Sequence, residues 1–122
     1  MRPGKEKMDY RKLDVWMRAV DLAVEVYEVT SRFPVAEQFG MVSQMRRAAT
    51  SIASNIAEGE GRGSARDHLR FLGHARGSLY ELDTQVFIAA KLGYLRTDDL
   101  IPLIEQTGRL INGTVRHLNT IS

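Results

Sequence analysis

Only three prolines punctuate this chain, Pro3, Pro34 and Pro102, and between them apolar residues recur at spacings of three and four. Long proline-free stretches leave room for long helices. Lys12–Arg32 carries two stripes, one of Leu13, Trp16, Val20, Ala23 and Tyr27 and one of Val15, Ala19, Leu22, Val26 and Val29. Three-four alternation puts each stripe on one side of an α-helix. Phe33-Pro34 ends that helix, since the residue before proline avoids helical dihedrals. A second helix is expected over Phe39–Glu58, stopping at Gly59-Glu60-Gly61-Arg62-Gly63, a flexible glycine-rich connection. Ser64 caps a third with Asp67 three residues on, and Gly93 closes it after Leu92. Thr97-Asp98-Asp99 opens a fourth, with Leu100, Ile104, Ile111, Val115 and Leu118 along one side. Pro102 removes one intrahelical bond, so its regular part begins a residue or two after Thr97. Helices over about 12–32, 39–58, 64–92 and 98–119 predict one all-α domain, 1–122, folded as an antiparallel up-down-up-down four-helix bundle.

The 122 residues include no cysteine, which excludes a disulfide scaffold and thiol chemistry and fits a reducing cytosol. The opening MRPGKEKMDYRK is charged and lacks the apolar core of a secretory signal. No window reaches the ~18–20 apolar residues of a membrane span, so a cytoplasmic protein without a membrane partner is expected. Net charge is only +2, yet the 17 basic residues comprise 13 Arg and 4 Lys. Arginine suits bidentate contact with phosphate or carboxylate. A GC-rich genome accounts for the bias more simply, and so weak a net charge lacks the basic footprint of most nucleic-acid binders. The excess is nevertheless local, with Arg46, Arg47, Arg62, Arg66, Arg70 and Arg76 set against Glu58, Glu60 and Asp67.

Catalytic machinery is not legible. The three histidines, His68, His74 and His117, do not form a metal motif; the first two sit about 120° apart on one helix. No nucleophile elbow or phosphate-binding loop occurs, and Gly59–Gly63 follows a helix rather than a strand. The expectation is a non-enzyme with no cofactor and no metal.

Three groups of residues are singled out instead. In Ser43–Arg62 the apolar side is Met45, Ala48, Ala49, Ile52, Ala53 and Ile56, while Gln44, Arg47, Ser51, Ser54, Asn55 and Glu58 make a short polar face that admits a close neighbour. Arg47, Arg62, Arg66 and Arg70, on that face or beside the glycine hairpin, are the candidate nucleic-acid contacts. Asp83 falls among the apolar positions of the third helix with Arg76 two turns earlier, so a polar network of Asn55, Glu58, Arg76 and Asp83 is expected to satisfy it. The two stripes of the first helix cover about 220°, more than a core-facing stripe needs. Such surplus apolar surface marks self-association, with Val15, Trp16, Ala19, Leu22 and Val26 as the candidate interface. Gly73 and Gly77, four apart, are expected to receive the alanine-rich second helix.

Three segments, LDVWMRAVDLAVEVY, SQMRRAATSIASNIAEGEGR and FLGHARGSLYELDTQVFIAAKLGYL, resemble successive motifs of one bacterial family. These are the small bundle proteins first noticed as reading frames within intervening sequences of 23S ribosomal RNA genes. The similarity runs from Leu13 to Leu118, and the blocks Arg46-Arg47-Ala48-Ala49 and Ser54-Asn55-Ile56-Ala57-Glu58-Gly59 are its most specific parts. Ala53 stands where many members have proline, and Asp83 where glutamate is usual. The resemblance implies a homopentameric ring. It also implies kinship with the accessory subunit of diversity-generating retroelements, which binds nucleic acid and a reverse transcriptase. Two readings follow: an oligomer that binds RNA, and a protein scaffold or accessory subunit whose arginines serve salt bridges.

Overall fold

Four helices form where the periodicity places them: α1 (Asp14–Thr30), α2 (Ser43–Glu60), α3 (Ala65–Lys91) and α4 (Ile101–Ile121). The computed structural model describes residues 9–121; the charged opening 1–8 and residue 122 lie outside the described residues. Among the described residues there is no strand, and no helix is long and apolar enough to cross a membrane. The chain is an all-α four-helix bundle.

Local chemistry accounts for the boundaries. The Ser64 hydroxyl accepts the Asp67 backbone N–H at 3.1 Å, starting α3. Gly93, at φ 81°, ends it in the left-handed region, and Tyr94 N–H returns to the Ala89 carbonyl at 3.0 Å. Asp99 holds the Arg96 backbone N–H at 3.0 Å over a short turn, Thr97–Asp99, before α4 begins with Pro102 in its first turn. The start of α2 differs from expectation. Val35–Glu37 makes a tight turn and Gln38–Val42 a wide π-type turn, with Gly40 off helical geometry at φ −110°, ψ −106°. Glu37 holds the chain there: its carboxylate accepts Met41 N–H at 3.3 Å and the Tyr94 hydroxyl at 2.9 Å.

The contacts of α3 with α2 and with α4 run in antiparallel order. Ser51 meets Ser78 at 2.9 Å while Gly59 lies against Phe71, and further round Leu79 lies against Gly108 and Arg76 reaches Asn112. Leu22, Met45, Ile52, Ile56, Leu72, Leu82, Leu100 and Ile111 are fully covered. Each is worth about 1.5–3 kcal/mol of burial.

Two expectations about packing are corrected here. The stripe of α1 facing the core is Val15, Ala19, Leu22, Val26 and Val29, onto which both α2 and α4 pack. Four of the five residues assigned to an oligomer interface are therefore core of the protomer, and only Trp16 belongs to the outer stripe. Gly73 and Gly77 do not receive α2: both are exposed, and a Cβ at either meets nothing within 4 Å. The close approach is made instead by Gly59, which continues α2 rather than ending it. A Cβ there would lie 3.0 Å from His68 Cδ2 and Phe71 Cβ.

Candidate nucleic-acid interface

The hairpin between α2 and α3 gathers three of the four candidate arginines. Gly59 lets the first turns of α3 close onto the end of α2, and this brings Phe71 under the connection. The Arg62 guanidinium lies 4.4 Å from the centre of the Phe71 ring and the Arg70 guanidinium 4.7 Å from it. His74 meets the same ring edge-on at 5.8 Å. Arg62 also pairs with Glu58 at 2.7 Å, and Arg70 with Asp67 at 3.6 Å. Exposed pairs of this kind contribute about 0.2–1 kcal/mol, and an exposed cation–π contact about 0.5–1 kcal/mol. The carboxylates are thus exchangeable for another anion, and the ring contacts, of similar size, favour the displayed position of both guanidinium groups. Arg66 is exposed and has no ion pair or hydrogen bond among the described residues.

Beneath this cluster, His68 Nε2 stands 3.8 Å from Glu60 Oε1, both side chains largely covered. Burial pushes the His68 pKa below its ordinary value of 6.5, and the Glu60 carboxylate partly offsets that. Glu60 therefore faces inward and does not oppose the arginines at the surface.

Arg47 does not join them. It sits on the first turns of α2, about 20 Å along the helix axis from the end of α2 at Glu60, where the hairpin begins. It lines a separate groove with Phe39 and Arg46. Arg46 is anchored there, its Nε donating to Thr30 Oγ1 at 3.0 Å and Nη2 to the Tyr27 carbonyl at 3.3 Å, with its guanidinium 4.5 Å from the Tyr27 ring centre.

The expected polar network is not assembled either. Arg76 donates to Asn112 Oδ1 at 3.1 Å, Asn55 turns back onto Ser51, and Glu58 is held by Arg62. Asp83 is partly exposed and has no hydrogen bond or ion pair among the described residues, so solvent rather than Arg76 satisfies it. Of the short polar face of α2, Ser51 reaches across the seam to Ser78 of α3, while Gln44, Arg47, Ser54 and Glu58 are exposed.

Outside the hairpin, the outer stripe of α1 and the facing side of α2 form an open apolar groove of about 610 Å³. Trp16, Val20, Ala23 and Tyr27 line one wall, Ala53 and Ala57 the other, and Tyr10 packs on Trp16 at 5.4 Å. The surplus apolar surface on α1 is real, but it is the stripe of Trp16 rather than that of Val15. On α3, Tyr80, Phe87 and Ile88 are also exposed. Among the described residues no cluster of three or more His, Cys, Asp or Glu is placed to hold a metal ion.

Sequence reasoning missed Phe71, the residue that organises the hairpin. A lone aromatic flanked by Arg70, early in a helix whose preceding connection carries Arg62, was the available signal.

Fold and hairpin together define a small four-helix bundle that displays an arginine cluster braced by an aromatic ring. The chain belongs to the 23S rRNA-intervening sequence protein family, whose model matches residues 11–113. The crystal structure of a protein of unknown function from the S23 ribosomal protein family of Bacteroides thetaiotaomicron has the same fold. It is 20% identical, with a TM-score of 0.77 over 84% of this chain and 95% of that one. No curated protein matches the chain.

Proposed function

We propose that this protein is a non-enzymatic, self-assembling module, a ring-shaped homopentamer that binds RNA through Arg62, Arg66 and Arg70. The observation that carries the RNA reading is the pair of guanidinium groups stacked on Phe71. A preordered guanidinium loses less freedom on meeting a phosphate. Within one protomer Glu58 and Asp67 compensate much of the hairpin charge, so a single copy binds weakly. Several copies on one ring multiply that affinity through effective concentration. Self-association is supported by two different exposed apolar surfaces, the α1–α2 groove and the face of α3 with Tyr80 and Ile88. Contact between unlike surfaces repeats around a ring rather than closing as a two-fold dimer.

Replacing Arg62 and Arg66 together by Ala is expected to lower RNA affinity and flatten its salt dependence, by roughly 0.7–0.9 in log–log slope for each phosphate no longer neutralised. Unchanged binding in a salt-titrated shift assay removes these residues from the site. The apolar groove also favours a second reading, a scaffold or accessory subunit for a protein such as a reverse transcriptase. Light scattering discriminates: a stable ring that ignores RNA at low salt belongs to the scaffold.

A further inference from the structure

Phe39 is 93% exposed, the most solvent-exposed large apolar side chain among the described residues. It does not sit on a loose tip. Phe33, which is buried, anchors one side of its turn against Tyr94 at 5.3 Å, and Glu37 ties the turn to Met41 N–H and to the Tyr94 hydroxyl. The ring is therefore held out in water by a braced turn. It borders a groove of about 380 Å³ whose other polar lining includes Gln38, Ser43, Arg46 and Arg47.

We propose that this groove receives an unpaired base of single-stranded RNA, stacked on Phe39, with the adjoining phosphate on Arg47. The assignment rests on the RNA-binding reading and names the form of RNA and a second contact that reading lacks. Charge selects the occupant: the groove is lined by two guanidinium groups and no carboxylate. Arg46 is fixed by Thr30 and Tyr27 as a positive wall, while the Arg47 guanidinium has no hydrogen bond or ion pair among the described residues. Gln38 and Ser43 bring an amide and a hydroxyl that make no side-chain hydrogen bond among the described residues, free for a base edge.

The hairpin cannot do this work. Phe71 is already taken by two guanidinium groups, and Tyr10, which borders Arg62, packs edge-on against Trp16, so the rings at that end are already engaged within the protomer. Stacking on an exposed aromatic discriminates single strands from duplexes, because duplex bases are stacked on one another. It is also tolerant of sequence, since every base has a π-face.

The test compares an oligouridine single strand with a blunt RNA duplex of equal length, binding to wild type, Phe39→Ala, Phe39→Trp and Arg47→Ala. Phe39→Ala is expected to weaken the single strand by about tenfold and leave the duplex unchanged. Phe39→Trp retains affinity, and the fluorescence added over that of Trp16 is quenched by the oligonucleotide. Arg47→Ala lowers the salt slope for the single strand by roughly 0.7. If Phe39→Ala binds oligouridine like wild type while the Arg62→Ala, Arg66→Ala protein binds it weakly, the base site is wrong and the hairpin reading stands. If wild type binds neither RNA, both fall. If Phe39→Ala changes the mass of the assembly in light scattering, the ring is part of a protein interface and the proposal is overturned.

Discussion

The two ends of α2 solve opposite problems with the same residue types. At the hairpin, an aromatic ring is covered and two of the three arginines are compensated: Phe71 lies under Arg62 and Arg70, each with a carboxylate at hand. At the other end, an aromatic ring is bare and an arginine has no ion pair among the described residues: Phe39 stands in water beside Arg47, which has a groove without an acid on one side and Glu81 lining the next groove on the other. The first arrangement stabilises the protomer while keeping guanidinium groups on display. The second leaves Phe39 in solvent and the Arg47 guanidinium without a hydrogen bond or ion pair among the described residues. A side chain that the fold does not use is available to a partner.

Substitutions at the two ends should therefore separate stability from binding. The largest effect is expected at Gly59, where Val would force a side chain into His68 and Phe71, 3.0 Å from where its Cβ would lie. Overpacking of this kind costs about 3 kcal/mol, read as a lower midpoint in urea unfolding, and it should weaken RNA binding by displacing Phe71. A midpoint within error of wild type would mean that α2 and α3 part easily. Next comes the contrast of two phenylalanines. Phe71→Ala is expected to destabilise by about 1–2 kcal/mol, from partial burial and its stacking with Arg62 and Arg70, whereas Phe39→Ala should stay within about 0.5 kcal/mol of wild type. Equal effects at both positions would erase the comparison.

Smaller still, Gly73→Ala and Gly77→Ala should each raise protomer stability by about 0.5–1 kcal/mol, because both glycines lie mid-helix facing open space. If the α3 face meets another subunit closely, the same changes reduce the mass of the assembly while the protomer gains stability. A gain with unchanged mass would remove that face from the interface. Acidification gives the gentlest perturbation. His68 has a pKa lowered below 6.5 in the fold, so at neutral pH and above it carries no penalty. As pH falls below 6.5 the unfolded chain takes up the proton more readily, and stability declines until the folded-state pKa is passed. His68→Gln should abolish that decline in a pH series of unfolding midpoints; an identical decline in the variant would assign it to other groups.

How much of this was legible depended on whether the determining interaction was local. The helices were readable because three-four spacing, the Ser64 cap and Gly93 act within a few residues of themselves. The choice between the two stripes of α1 was not. Val15–Ala19–Leu22–Val26 and Trp16–Val20–Ala23–Tyr27 are both apolar, and only the placement of α2 and α4 decides which one is core. Arg76 likewise has a residue of opposite charge two turns along its own helix, yet its partner is Asn112, 36 positions away. The candidate site was half legible: Arg62, Arg66 and Arg70 were gathered by a hairpin visible as a glycine run. Arg47 shares the polar face of α2 with Glu58 at the hairpin end, but the length of the helix puts about 20 Å between Arg47 and that end.

The most direct measurement is RNA affinity as a function of salt for wild type and for the Arg62→Ala, Arg66→Ala protein, both at the same assembly mass by light scattering. If the hairpin arginines hold phosphate, the variant binds more weakly and with a shallower salt slope. Parallel slopes with equal affinity, or a stable ring with no RNA affinity at low salt, would contradict that role.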